Sequence, residues 1–138
     1  MAGSFKFIYG EDKRVSEYVK QRIPYAQYGF DRCVTIGVEQ SGVLVAGIVF
    51  FDWFSAWGNI YMAVAGEGNW CTRKLLRCCH AFAFVQMGCK RVTVLMRDGD
   101  RPTINAALRI GFKLEGIMRG EPSCLVFGIL KNEALKWA

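Results

Sequence analysis

Three consecutive stretches near the middle of the chain decide the fold: Ile60–Ala65 reads IYMAVA, Gly66–Asn69 reads GEGN and Trp70–Leu76 reads WCTRKLL. The first is an apolar run with β-branched and aromatic residues, which is typical of a strand. The second favours a turn, and Trp70–Met87 carries apolar residues at steps of four and three, which predicts a helix. The expected apolar face of this helix consists of Cys71, Leu75, Cys78, Phe82 and Val85. Lys90–Met96 then predicts a strand that is covered on both faces.

The flanking sequence extends this strand–turn–helix–strand unit into a mixed α/β fold. The other predicted strands are Ser4–Tyr9, Arg32–Glu39, Val43–Phe54, Phe112–Met118 and Cys124–Leu130, and the other predicted helices are Glu11–Ile23 and Asp100–Ile110. The order is β-α-β-β-β-α-β-α-β-β, an antiparallel meander followed by a crossover helix. No glycine-rich dinucleotide fingerprint follows the first strand, so Rossmann and P-loop folds are excluded.

Composition limits the classes of protein to consider. With 138 residues, 52% of them apolar, the chain fits one domain over residues 1–138 and is not disordered. The net charge of +6 suits an anionic partner, which could be a nucleic acid, a membrane surface or a phosphorylated small molecule. The basic residues form no run with stacking aromatics, so nucleic-acid binding ranks as a distant third function.

Neither a membrane span nor a metal site is expected. The apolar runs Val43–Phe51 and Ile60–Ala65 approach the length of a membrane span, but Asp52 and a turn interrupt them, so two strands are the better interpretation. The six cysteines contain no Cys-x-x-Cys pair and His80 is the single histidine, so no zinc site is expected. Met1–Lys13 lacks the pattern of a signal peptide, so we expect a cytoplasmic protein with reduced cysteines.

Two features suggest a functional site. Arg73, Lys74 and Arg77 lie at the start of the predicted Trp70–Met87 helix, where cations are unfavourable unless an anion is bound. The alternative is that these long side chains extend into solvent. The second feature is the aromatic stretch Phe50–Trp57, where strand alternation places Phe50, Asp52 and Phe54 on one face and Phe51 and Trp53 on the other. One set is expected in the core, and the other either packs there too or forms a partner surface.

The order of elements and three sequence phrases resemble the GNAT superfamily of acyl-CoA-dependent N-acetyltransferases. The phrases are the WCTRKLL stretch, Ala83–Val92 (AFVQMGCKRV) and Ile110–Gly116 (IGFKLEG). The closest similarity is to the enzymes that acetylate the N-termini of ribosomal proteins, including short phage-encoded members that lack most of the second helix. The resemblance is clearest from about residue 59 to 119, and it implies a mixed central sheet of six to seven strands flanked by helices.

The resemblance also implies where acetyl-CoA would bind. In the family, a strand backbone holds the pantetheine arm and the following loop and helix hold the pyrophosphate. The corresponding residues of this chain are Ala63, Val64 and Ala65 on the strand, then Gly68, Asn69, Trp70, Cys71, Thr72, Arg73 and Lys74, with Asp100 and Thr103 at the start of the next helix.

The chain departs from the family pattern at four positions. Glu67 stands where the family has Gln or Arg, and Trp70 stands where it has a glycine. Asp100 replaces an Asn, and Leu108 occupies the position of a tyrosine general acid. The catalytic residues of the family therefore do not carry over.

Two functions from different classes follow. The first is an acetyl-CoA-dependent N-acetyltransferase, in which Asp52 is the expected base, Tyr61 the donor to the leaving thiolate, and Tyr25–Phe30 with the Gly120–Ser123 turn the acceptor groove. The second is a binding module that has kept the fold, lost the cofactor site and uses Phe50–Trp57 to contact a protein partner or a second copy of itself. The four departures are what this second hypothesis predicts.

Overall fold

The computed structural model describes residues 4–23, 26 and 29–138 and contains one mixed sheet. The strands are β1 Phe5–Tyr9, β2 Cys33–Gln40, β3 Val43–Phe54, β4 Asn59–Gly66, β5 Arg91–Arg97, β6 Lys113–Met118 and β7 Cys124–Leu130. The helices are α1 Asp12–Lys20, α2 Arg73–His80, which continues as a π-helical segment over Ala81–Gln86, and α3 Arg101–Arg109, followed by a 3-10 turn at Ala134–Trp137. The strand order is β1-β2-β3-β4-β5-β7-β6, and β4 pairs with β5 in parallel. The predicted α/β class and element order are confirmed.

The chain divides into two compact units. The first comprises Met1–Asp52 and Met62–Leu76, and the second comprises Trp53–Tyr61 and Arg77–Ala138. Each unit contains part of β3 and β4. The assignment of residues 1–138 to a single domain stays a prediction.

In the first unit, α1 packs closely on β2 and β3 because paired glycines leave room for it. Gly37 and Gly47 are opposite each other in the β2–β3 ladder. A methyl group at Gly47 would lie 2.7 Å from Val19 Cγ2 and 2.9 Å from Val15 Cγ1. Val15 and Val19 have no exposed surface, so glycine at this site allows the helix to bury both valines against the sheet.

In the second unit, the C-terminal residues complete a hydrophobic core. Trp137 is 2% exposed, and its ring lies 5.8 Å from that of Phe112 and 6.3 Å from that of Phe84. The indole Nε1 donates a hydrogen bond of 2.8 Å to the Ile110 carbonyl. Phe84 and Phe112 belong to two of the phrases that carry the family resemblance, so this packing gives both a structural role.

The structure corrects three predicted helix features. The helix expected over Glu11–Ile23 ends at Lys20, and the one expected over Trp70–Met87 begins at Arg73. Its predicted apolar face is also wrong, because Val85 is 68% exposed while Cys79, Ala83 and Phe84 are buried beside Leu75. The physical reason is the π-helical segment, since the Met87 N–H donates to the Phe82 carbonyl, five residues back, and the spacing of 3.6 residues per turn is lost. No helix in the described ranges is long and apolar enough to cross a membrane.

Candidate functional site

The turn after β4 begins with a backbone hydrogen bond and contains a glycine with a positive φ. At its start, the Glu67 N–H donates a hydrogen bond of 2.8 Å to the Val45 carbonyl. Gly68 has a φ of +74°, a conformation that favours glycine, and a methyl group there would meet no atom within 4 Å. The turn therefore has a defined backbone path with open space beside Gly68.

Trp70 lies against the sheet. A methyl group at Gly66 would lie 2.5 Å from Trp70 Nε1 and 2.7 Å from the Ala46 Cβ. The absence of a side chain at Gly66 is therefore what allows the indole to lie over the end of β4. The glycine at position 66 thus accommodates the bulk of Trp70.

The start of α2 presents unpaired N–H groups and two cations. Thr72 caps the helix, since its hydroxyl accepts a hydrogen bond from the Leu75 N–H at 3.2 Å and its carbonyl accepts one from the Leu76 N–H at 3.0 Å. The first N–H groups of a helix, here those of Arg73 and Lys74, have no intrahelical partner. Both side chains are exposed, and neither forms an ion pair with any residue that the structure describes. Such a helix start can bind an anion.

Glu67 has a cationic neighbour, Arg22, in the turn that follows α1. Its Oε1 lies 4.0 Å from Arg22 Nε. Arg22 is in turn anchored on Tyr18, since its Nη1 donates to the Tyr18 carbonyl at 3.0 Å and its Cζ lies 3.6 Å from the ring centroid. Sequence reasoning missed Arg22, because a turn contact between residues 45 positions apart leaves no periodic signal.

The Tyr18 hydroxyl is buried and has no hydrogen-bond partner among the described residues. Arg22 stacks over the face of the ring, with its Cζ 3.6 Å from the ring centroid. Burial raises the pKa of the Tyr18 phenol, the positive charge of Arg22 opposes this rise, and Glu67 adds to it.

The residues expected to hold the cofactor arm and pyrophosphate all lie in the first unit, from Ala63 to Lys74. Ala63 is 1% exposed and packs with Tyr18, and Val64 and Ala65 are half-buried. Asn69 and Cys71 are exposed. The structure thus places this predicted set on one strand end, one turn and one helix start.

Asp100 and Thr103 belong to the second unit, where they form a helix cap. Asp100 accepts hydrogen bonds from the Thr103 N–H at 3.4 Å and from the Thr103 hydroxyl at 2.7 Å. This confirms the predicted cap at the start of α3. A role for either residue in binding the cofactor stays a prediction.

The two residues expected to move protons lie on different strands. Asp52 is exposed and has a φ of +51°, which is rare outside glycine and ends the regular alternation of β3. Tyr61 is half-buried on β4 opposite Thr93 of β5. Beside it, Asn59 Oδ1 accepts hydrogen bonds from Thr93 Oγ1 at 2.5 Å and Arg91 Nε at 3.2 Å.

The positive φ at Asp52 changes the expected faces of the aromatic stretch. Phe50 is 1% exposed and belongs to the core, where one of the two faces of this stretch was expected. Phe54 was expected on the same face, but it is 57% exposed, and Trp53 and Trp57 are exposed as well. Phe51 is half-buried, with its ring 4.9 Å from that of Phe30.

The predicted acceptor groove is described only in part. Pro24, Tyr25, Gln27 and Tyr28 lie outside the described residues. In the turn Gly120–Ser123, the Ser123 carbonyl accepts a hydrogen bond of 3.0 Å from the Asp98 N–H. Over the described ranges, no group of three or more His, Cys, Asp or Glu side chains could hold a metal ion.

Solved structures share this fold. A spermidine/spermine N-acetyltransferase from Vibrio cholerae, in mutant forms, matches with a TM-score of 0.75 and 12% identity over 95% of this chain and 96% of that chain. A dodecameric spermidine N-acetyltransferase from the same organism matches with a TM-score of 0.71 and 10% identity over 95% and 96% of the two chains. A probable acetyltransferase matches with a TM-score of 0.69 and 15% identity over 96% and 98%. No family model and no curated protein matches the sequence. At these identities the likeness shows the fold, which is that of the GNAT acetyltransferases.

Proposed function

We propose that this protein is an acetyl-CoA-dependent N-acetyltransferase. The observation that carries the proposal is the start of α2, where a glycine turn leads to free N–H groups flanked by exposed Arg73 and Lys74. This chemistry suits the phosphates of acetyl-CoA. The fold shared with known acetyltransferases supports it.

In this proposal the two reactants meet in a ternary complex. The backbone of β4 at Ala63, Val64 and Ala65 holds the pantetheine arm, and the turn and α2 hold the phosphates. The acceptor ammonium loses a proton, and the free amine attacks the thioester carbonyl, so that a C–N bond forms and the C–S bond breaks. The amide nitrogen releases a second proton while the thiolate leaves and takes up one. Holding the reactants together contributes roughly 7–11 kcal/mol to lowering the barrier.

Asp52 and Tyr61 are our candidates for these proton transfers. The exposed Asp52 carboxylate would receive the ammonium proton, directly or through water, and the Tyr61 hydroxyl would donate to the thiolate. Asp52→Asn should lower kcat at least tenfold, because general-base catalysis typically contributes a factor of about 10²–10⁴. Asp31→Asn, which also removes an exposed carboxylate of the first unit, is the control. Unchanged turnover in the Asp52 variant would remove this residue from the mechanism.

The acceptor is an amine, on a small molecule, a protein N-terminus or a lysine. The sequence resemblance to ribosomal-protein acetyltransferases favours a protein N-terminus, and the structural neighbours named for spermidine favour a polyamine. A panel of both, assayed by release of free CoA thiol, separates the two classes. We expect the reaction to take place in the cytoplasm, since all six cysteines are free thiols.

Thermal unfolding with and without acetyl-CoA tests the proposal first. A ligand at about 100 times its Kd adds roughly 2.7 kcal/mol to the free energy of unfolding. For a domain of this size, that raises Tm by several degrees. Arg73→Glu should reduce the shift, and Lys13→Glu, which makes the same charge change at an exposed site on α1, should not. No shift at millimolar acetyl-CoA would refute the transferase.

One observation favours a second candidate, a binding module. Trp53, Phe54 and Trp57 are 51%, 57% and 73% exposed, which is unusual for three neighbouring large aromatics. A protein partner or a second copy of the chain would bury them. Concentration-dependent association that Trp57→Ser abolishes, in a protein that does not bind acetyl-CoA, would support this function over the transferase.

A further inference from the structure

The negative charge of Glu67, which should weaken cofactor binding, lies close to the positive charge of Arg22. Glu67 puts a carboxylate in the turn that would bind phosphates, where the resembling family has Gln or Arg. An uncompensated carboxylate there would repel the anion. The Arg22 guanidinium lies 4.0 Å from this carboxylate, although it comes from the turn after α1, 45 residues earlier in the chain.

The position of Arg22 does not depend on Glu67. One guanidinium nitrogen donates to the Tyr18 carbonyl at 3.0 Å, and the guanidinium plane covers the Tyr18 ring at 3.6 Å. Tyr18 is 9% exposed and packs with Val19, Val49 and Ala63, so the platform under Arg22 is part of the core. A cation anchored in this way is a fixed positive charge beside the turn.

The pair itself adds little to stability. The Arg22 and Glu67 side chains are 37% and 75% exposed, and exposed pairs of this kind contribute about 0–1 kcal/mol. Tyr18 alone would hold Arg22. The consequence of the arrangement is therefore the electrostatic potential that it creates at the turn.

We infer that Arg22 is a positioning residue for the anionic part of the co-substrate. It cancels the charge of Glu67, so that the cations of Arg73 and Lys74 and the free N–H groups of α2 set the potential at the turn. The inference rests on the proposed function, because it concerns the same site. Its specific content is that Arg22, in the turn after α1, controls the affinity for the phosphates of CoA and not for the rest of the molecule.

The test compares CoA with S-acetylpantetheine, which carries the reactive arm without the nucleotide phosphates. At low ionic strength, Arg22→Gln should weaken CoA binding about fivefold, since it leaves the Glu67 carboxylate uncompensated and free to repel the phosphates. Glu67→Gln should tighten binding by a similar factor, and the double variant should return to within about twofold of wild type, since the two charges cancel. Binding of S-acetylpantetheine should change in none of the three.

The matched control is Lys20→Gln, which removes one positive charge two residues before Arg22, at the last residue of α1. Lys20 pairs with Glu17 at 3.7 Å, so its loss should leave the affinity for CoA within twofold of wild type. Salt at about 0.5 M should shrink the effect of Arg22→Gln, because the Debye length falls to a few ångströms. Equal loss in the Arg22 and Lys20 variants, or equal loss of S-acetylpantetheine binding, would overturn the inference. If the wild-type protein binds no CoA, the proposed function fails and this inference fails with it.

Discussion

The Tyr18 hydroxyl is a buried polar group in an environment that gives it no hydrogen bond. Its oxygen has no partner among the described residues, and the ring packs against Val19, Val49 and Ala63. A buried donor without a partner loses its hydrogen bonds to water and gains none in return, which costs about 1–3 kcal/mol. The helical spacing of Val15, Tyr18 and Val19 predicts that they share the apolar face of α1, and all three are buried. The same spacing gives no information about the hydroxyl, because it describes the direction of a side chain and not the partner at its end.

Tyr18→Phe should therefore leave the protein as stable as wild type or more stable, by up to about 1 kcal/mol. The change removes only the hydroxyl and keeps the ring on which Arg22 stacks. Urea unfolding measures the free energy directly, and an unchanged m-value is the control for an intact folded state. A loss of 1 kcal/mol or more would mean that the hydroxyl makes a favourable contact in the folded protein.

Arg91 and Glu115 lie in two separate sequence phrases, yet they form one ion pair in the structure. Their side chains meet at 2.5 Å, with Arg91 also donating to Thr93 Oγ1 at 3.2 Å. The pair lies across Gly128, where a methyl group would collide with both side chains. Each of the two phrases can be recognised in the sequence on its own. The contact depends on the pairing of β5, β6 and β7, which local patterns do not encode.

Gly128→Ala should cost about 1–3 kcal/mol, because either the ion pair or the β7 backbone must move. Gly116→Ala on β6 is the matched control, since a methyl group there would meet nothing within 4 Å, and its effect should stay within about 0.5 kcal/mol. Thermal unfolding of both variants beside wild type provides the comparison. Equal effects at the two positions would mean that the Arg91 and Glu115 side chains move aside without lowering the free energy of unfolding.

At the scale of elements, some features of α2 were predicted correctly and others were not. The strand–turn–helix sequence and the glycine turn were expected, and Gly88, directly after the expected end of the helix at Met87, has a φ of +67°. The start was misplaced by three residues because Trp70 looks like the first apolar position of the helix. In the structure it packs on Gly66 instead. That contact joins the turn to β4, and no property of the helix sequence specifies it.

Thr72 makes this boundary testable. Thr72→Ala should destabilise the protein by about 1 kcal/mol, because the Leu75 N–H loses its acceptor. Thr72→Ser keeps the hydroxyl and should retain most of the stability. Urea unfolding of the two variants separates the contribution of the hydroxyl group, which caps the helix, from that of the methyl group. If Ser and Ala are equally destabilising, the methyl group and not the hydrogen bond holds the helix start.

At the scale of the whole molecule, the local patterns gave the number and type of elements but not all of their partners. Val43–Phe54 and Cys124–Leu130 were predicted with the bounds that the structure has, because apolar runs between turn residues define strands well. The 3-10 turn at Ala134–Trp137 was missed, since one turn is too short for a periodic signal. The candidate anion site was predicted from charge and glycine content. Its neighbour Arg22 was not, because only the folded chain brings the residues after α1 close to that turn.

Three acidic groups with raised pKa values, in the buried Cys89 and Tyr18 and the half-buried Cys33, contribute to the response of the molecule to high pH. Burial raises the pKa of Cys89 and Cys33 above their ordinary value of 9.0, and burial likewise raises the pKa of Tyr18 above 10.0. The folded state therefore keeps protons that the unfolded chain releases. The stability that depends on these protons is fully present below about pH 9, and it falls as pH rises toward the folded-state pKa values.

The free energy of unfolding should therefore decrease between pH 8.5 and 10.5, by at most about 1.4 kcal/mol per pH unit for each group. Urea titrations under reducing conditions measure this slope. Cys89, which is 1% exposed, is the most informative group, and Cys89→Ala should make the slope shallower even if it lowers stability at pH 7. Recovery at pH 7 after exposure to pH 10.5 excludes chemical damage as the cause. A slope that Cys89→Ala leaves unchanged would show that this thiol ionises equally in the folded and unfolded states.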